Sequence, residues 1–187
     1  MSNSQVHDYI LTKSSIRNGI QCEKRLWLDF NEPKKVDENT QIYIGNLFGE
    51  KLRKLDPSGL DLSKLKKKEE LHEALNKTNE AIKGEFKKIY EGVFVFNDTL
   101  VRPDVLKRNE DGWELWEAKA KKVKKIKNED KIEEIDLIDI AIQYYVVTSC
   151  GINITNAKIV CLDDKFVYQG DEDYRNLIKS FDVTELI

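Results

Sequence analysis

Near residue 91 the spacing of apolar residues changes from helical to alternating, and this change does most to limit the folds open to the chain. Before it, Ile16, Ile20, Leu26 and Trp27 recur at helical intervals in LTKSSIRNGIQCEKRLWLDF, which reads as one helix or two, capped by Thr12 or Ser14. NEPKKVDENT breaks the pattern as a loop. TQIYIGNLFGEKLRKL resumes it, with Ile44, Leu47, Phe48, Leu52 and Leu55 on one side, and DPSGLDLS reads as a turn. Residues 63–90 read as a lysine-rich amphipathic helix in two pieces. Then GVFVFN, TLVRPDVLKR and GWELWEAKA alternate, separated by Asn97-Asp98 and by Asn109–Gly112, and predict a three-strand meander. Residues 116–134 read as a charged loop or irregular helix. IDLIDIAIQYYVVTSCG predicts an apolar helix stopped by Gly151. NAKIVCL and KFVYQG read as short strands, and DEDYRNLIKSFDVTELI as a last helix. Helices, a meander, a helix and strands predict an α/β or α+β fold with a mixed sheet flanked by helices. The expected organisation is one domain over 1–187, helical to about residue 90 and built on a sheet from there.

Composition narrows the function classes. Apolar residues are 40% and charged residues 35% of the chain, a globular balance. No apolar run approaches the roughly 18 residues of a membrane span, and no secretory pattern opens the sequence. A cytoplasmic protein with no membrane partner is expected. The net charge is −3, so any polyanion partner must be met locally. Acid gathers at 129–139 and 171–175, and lysine at 64–68 and 119–127. Cys22, Cys150 and Cys161 form no CxxC pair, and His7 and His72 lack partners at zinc spacing.

The chemistry concentrates in RPDVLKRNEDGWELWEAK. Asp104 falls on the second predicted strand, and Glu117 and Lys119 on the third. Residues two apart on a strand share a face, and pairing through the Asn109–Gly112 turn brings Asp104 opposite Glu117. Two carboxylates can hold Mg²⁺ or Mn²⁺, with the Ala118 carbonyl as a further ligand. The metal would activate a water, while the lysine stabilises charge growing on phosphorus. The combination suits phosphodiester hydrolysis. Alone, a D…ExK pattern also describes ordinary charges on a solvated strand.

RPD followed by EAK resembles the PD-(D/E)XK nuclease superfamily. GIQCEKRLWLDF, GNLFGEKL and DIAIQYYVV resemble, in order, the motifs of its RecB-like branch, including the iron–sulfur exonuclease of CRISPR adaptation. The strongest likeness is to a RecB-like family with LQCPKRLWL near its N-terminus, along nearly all of the chain. The resemblance implies a restriction-endonuclease-like core and a Mg²⁺- or Mn²⁺-dependent nuclease acting on DNA in repair, recombination or defence. Asp104, Glu117 and Lys119 match the core triad, Glu50 the helix acid that binds metal directly or through water, and Gln143 the glutamine that positions the nucleic-acid backbone or the lysine. Tyr144 and Tyr145 are not assigned, because Val147 stands where an aromatic is usual. Glu91 reads equally as a supporting acid or an exposed strand-end glutamate.

Two features stay open at this level. In the iron–sulfur relatives an early cysteine joins three late ones around a [4Fe–4S] cluster. Here the late trio is absent, so no complete cluster is expected. Either the chain is the N-terminal part of a longer protein whose remaining ligands would join Cys22, or the cluster is lost. Cys22 reads first as a core residue, and Cys150 and Cys161 as buried small hydrophobes. In KAKKVKKIK, residues Lys121, Lys122, Lys124, Lys125 and Lys127 are candidate phosphate contacts, as is Gln143. SKLKKKEELHEALNK reads as a solvated helix face. The rival to an enzyme is a nuclease-like fold that binds nucleic acid or a partner without cutting. The oligomeric state is not legible.

Overall fold

In the computed structural model, residues 11–33, 39–126, 129–170 and 173–187 are described. The chain enters on a two-residue strand, β1 (Leu11–Thr12), and turns straight into helix α1 (Lys13–Gln21). Thr12 makes the turn, its hydroxyl accepting the Ser15 N–H at 3.1 Å. Cys22 is extended and separates α1 from α2 (Glu23–Asn31). Asn39 caps α3 (Thr40–Leu55) by accepting the Ile42 N–H at 3.0 Å. There follow β2 (Leu60–Asp61), a 3₁₀ turn at Lys68–Glu70, α4 (Leu71–Lys83), β3 (Lys88–Tyr90), β4 (Phe94–Phe96), β5 (Thr99–Val101), β6 (Val105–Arg108) and β7 (Trp113–Lys119). β8 (Lys124–Ile126), β9 (Glu129–Lys131), α5 (Glu134–Ser149), β10 (Ile154–Leu162) and β11 (Ile178–Asp182) lead to a closing 3₁₀ turn at Thr184–Leu186.

The fold is mixed α/β, as expected, but several boundaries differ from the sequence pattern. Residues 63–90 hold two helical pieces, as expected, but the first is only the 3₁₀ turn at Lys68–Glu70, which runs directly into α4. Its Ala74, Thr78 and Ala81 face is buried, and Gly84 ends it before β3 begins. The meander is split. TLVRPDVLKR breaks around Pro103, so β5 pairs with β4 and β1 in a small sheet while β6 joins a six-stranded sheet. Proline offers no N–H to a ladder, and the chain changes sheet there. The charged segment after Lys119 is an antiparallel strand pair, β8 with β9, instead of a loop or helix. KFVYQG is not a strand. On its side away from β7, β10 pairs with β11, inside the segment expected as a last helix. Its ladder comes from a distant strand, a tertiary demand that local pattern does not express.

The large sheet runs β11-β10-β7-β6-β3-β2, with β7 parallel to β10 and antiparallel to β6. Alternation along its strands makes two apolar faces. Ile89, Leu106, Leu115 and Ile159 pack with Ile140, Val146 and Val147 of α5. Tyr90, Val105 and Val160 pack with Phe48 and Leu52 of α3. The sheet therefore lies between α3 and α5, and β7 carries its last residues out between them. Among the described residues no helix is long and apolar enough to cross a membrane.

Candidate active site

Asp104 lies one residue before β6, not within it. The ladder pairs Val105 with Trp116, so the next step outward sets Asp104 against Glu117. The Ala118 N–H donates to Asp104 Oδ2 at 2.6 Å and fixes the carboxyl there. Glu117 and Lys119 share the α5 face of β7, with Lys119 Nζ 3.0 Å from Glu117 Oε1. The expected convergence of the three residues is therefore present in the geometry.

Other elements contribute groups that the sequence reading passed over. Lys13, first residue of α1, donates to Glu117 Oε1 at 2.7 Å. Arg17, one helical turn later, reaches Asp139 at 3.3 Å. Asp139 and Asp136 of α5 are buried, and Lys119 Nζ lies 2.5 Å and 3.5 Å from them. Gln143, one further turn along α5, donates from Nε2 to Glu117 Oε2 at 2.5 Å and to the Asp139 carbonyl at 3.2 Å. It is 1% exposed, so its amide is committed to Glu117, and its Oε1 has no hydrogen-bond partner among the described residues. A signal for the aspartates existed in the sequence. Asp136, Asp139 and Gln143 fall at i, i+3 and i+7, one face of an otherwise apolar helix. Lys13 and Arg17 fall at i and i+4.

Buried charges persist only when paired, and this site alternates cations with carboxylates. Burial pushes the Glu117 carboxyl up, but Lys13 and Lys119 outweigh it and hold the group at about 2. Burial works against the charge of Lys119, yet Glu117 and Asp139 win and raise its pKa. Asp104 has the opposite fate. Burial, reinforced by the neighbouring Glu117 charge, pushes it up to about 8. The two carboxylates are thus close enough to resist joint ionisation.

The pair opens onto a cleft of about 630 Å³ whose lining includes Glu50, Arg53, Lys66, Glu91, Asp104, Glu117 and Ala118. Glu50 stands on the cleft wall, half exposed and salt-bridged to Lys54 at 2.6 Å. Glu91 is not at the start of a strand. It sits between β3 and β4 with φ of 55°, a strained conformation for a side-chain-bearing residue. Its N–H donates to the Asp104 carbonyl at 3.3 Å, and its side chain is partly buried, which removes the exposed strand-end reading.

Among the described residues no three His, Cys, Asp or Glu side chains enclose a metal ion. A full protein cage is not what Mg²⁺ takes, however. It is characteristically held by one or two carboxylates and completed by waters and phosphate oxygens. Two mutually repelling oxygen donors at the edge of a polar cleft fit such an ion.

No known family model matches this chain, and no curated protein matches it.

The remaining expected residues fall as follows. Lys121 is engaged by Glu133 and by Asp136, the latter at 2.7 Å, and Lys122 is exposed. The side chains of Lys124 and Lys125, and the whole of Lys127 and His7, lie outside the described residues. Two cysteine expectations are corrected. Cys22 is exposed because it occupies the break between two surface helices, and Cys150 is exposed because it lies at the C-terminal end of α5. Cys161, in β10, is buried.

Proposed function

We propose that this chain is a divalent-metal-dependent nuclease that hydrolyses phosphodiester bonds in DNA, on a restriction-endonuclease-like core. The observation that carries the reading is the meeting of Asp104, Glu117 and Lys119 at the edge of a cleft that also holds Glu50 and Glu91. The mixed sheet, with these residues at the ends of adjacent strands and α3 and α5 on its two faces, supports the fold assignment.

Asp104, Glu117 and the Ala118 carbonyl would hold Mg²⁺ or Mn²⁺, with Glu50 within the same cleft as a water-mediated ligand. When bound, the ion would polarise the phosphoryl oxygen and lower the pKa of a coordinated water. Gln143 locks the Glu117 carboxylate in orientation. Asp139 holds the Lys119 ammonium charged and aimed, so that it meets negative charge developing at phosphorus without reorganising. Arg53 and Lys66 add positive charge along the cleft, where a polyanion would lie. Of the two candidate phosphate-contacting lysines whose side chains are described, Lys122 is exposed, whereas Lys121 is held by Glu133 and Asp136.

The test is incubation of the purified chain with single- and double-stranded DNA and RNA under Mg²⁺ and Mn²⁺. Cleavage is expected, lost with chelator and with Glu117→Gln. Absence of cleavage under every condition would remove the enzymatic reading.

One observation favours a second reading, a binding module that does not cut. Lys13 already neutralises Glu117, as it would in a site that needs no metal. Salt-dependent nucleic-acid binding, unchanged by chelator and by Glu117→Gln and without cleavage, would identify it.

A further inference from the structure

Lys13 has no place in the reaction proposed above, yet it pairs directly with the central carboxylate of the site. Its Nζ lies 2.7 Å from Glu117 Oε1, the same oxygen that Lys119 approaches at 3.0 Å. Glu117 Oε2 takes the Gln143 amide at 2.5 Å. A carboxylate offers about four acceptor sites, so three protein donors leave Glu117 little capacity for anything else. One acceptor site remains, but a divalent ion that takes it sits beside two ammonium charges, at 2.7 Å and 3.0 Å from Oε1, and their repulsion is relieved when the looser one leaves.

The three donors are not equally held. Gln143 is sealed in the core and also bonded to its own helix. Lys119 is shared with Asp139 at 2.5 Å and Asp136 at 3.5 Å. Among the described residues Glu117 is the one acid paired with Lys13, with Asp104 and Asp139 attracting it from farther off, and the Lys13 side chain is 24% exposed against 17% for Lys119. The helix that carries Lys13 is itself anchored. β1 pairs with β5 just before it, and Arg17 holds Asp139 one turn beyond it. The Lys13 side chain can therefore swing out while α1 stays in place.

We infer that Lys13 is an internal counter-ion that keeps the place of the divalent ion on Glu117 and is expelled when that ion binds. The inference rests on the nuclease reading and adds a device to it. The metal-free site is a neutralised, closed arrangement, and metal loading must be won against Lys13. Its cost is weak resting affinity for divalent ions, and its effect is to neutralise the buried Glu117 carboxylate when no ion is present.

The experiment measures Mn²⁺ binding alone, by calorimetry and by electron paramagnetic resonance of free Mn²⁺, on the full chain and its Lys13→Met and Lys13→Arg variants. Removal of a competing charge a few ångströms from the ion should tighten Mn²⁺ binding by about tenfold or more in Lys13→Met. Lys13→Arg, which keeps the charge, should stay close to wild type. A merely structural lysine would not separate these two variants in this way. Melting in chelator should show Lys13→Met less stable than wild type, with a larger recovery on adding Mn²⁺. If Lys13→Met fails to fold without metal, Lys13→Gln replaces it, with the same affinity gain expected. Mn²⁺ binding that is equal or weaker in the neutral variants overturns the inference. If wild type also cleaves DNA in that case, the nuclease reading survives alone. Absence of Mn²⁺ binding in every variant overturns both.

Discussion

Replacement of Asp104 by asparagine should make the metal-free protein more stable at alkaline pH, although the residue sits at the heart of the proposed site. The carboxyl is pushed from 3.8 up to about 8, by burial first and by the adjacent Glu117 charge second. The sign follows from linkage. Below pH about 4 the folded and unfolded states both keep the proton, and the group costs nothing. As the pH rises toward 8, the unfolded chain releases that proton easily and the folded chain does not, so stability drains away. A tenfold difference in proton affinity is worth about 1.4 kcal/mol, which sets a ceiling of about 5 kcal/mol at pH 8. Asp104 faces an open cleft, and water there should reduce the realised penalty to about 2–3 kcal/mol. Asparagine keeps an oxygen for the Ala118 N–H and can present its amide to Glu117. Urea unfolding in chelator, followed by tryptophan fluorescence, should show Asp104→Asn more stable by that amount at pH 8 and by under about 1 kcal/mol at pH 5. Mg²⁺ at pH 8 should stabilise wild type and leave the variant unchanged. A variant less stable than wild type at pH 8, or a difference independent of pH, would mean that the Asp104 charge carries no folding penalty.

Lys119→Met should lower cleavage by about 10²–10³-fold, measured with a fluorescent oligonucleotide. It should also cost about 3 kcal/mol, because the buried Asp139 would retain only Arg17 among its ion-pair partners described here. Gln143→Leu should cost about 1–3 kcal/mol in denaturant unfolding and slow cleavage, since Glu117 loses a donor. The Glu117 carboxyl is held at about 2, below its unfolded value, so its contribution is present above pH about 4.5 and lost as pH falls toward 2. An acid-unfolding series should show that loss, and Glu117→Gln should flatten it. Leu115→Ala, in the middle of the α5-facing core, should cost about 2–5 kcal/mol by the same unfolding assay, with far-ultraviolet circular dichroism retained below the transition.

Much of the site was legible because it depends on local geometry. A two-residue spacing on one strand sets Glu117 beside Lys119, and a short polar turn sets Asp104 opposite them. The helix periods before residue 63 were legible for the same reason. What escaped was what depends on distant pairing. Lys13 gains its importance from a strand pairing between Leu11–Thr12 and residues near 99, which no periodicity announces. β11 is a strand because β10 offers an edge. The split at Pro103 was visible as a proline but not as a change of sheet. Asp136 and Asp139 lay within reach of sequence reasoning, as acids on the buried face of an apolar helix that must find cations elsewhere. The lysine run after β7 misled in part, because the acid run that follows it folds back on Lys121.

The most direct test of the central claim is a crystal of the protein soaked in Mn²⁺ and measured at a wavelength where manganese scatters anomalously. One strong anomalous peak is expected at bonding distance from the carboxylates of both Asp104 and Glu117, with Lys13 turned away from Glu117. Crystals that take up manganese elsewhere, or none at all, with Lys13 still on Glu117, would contradict that claim.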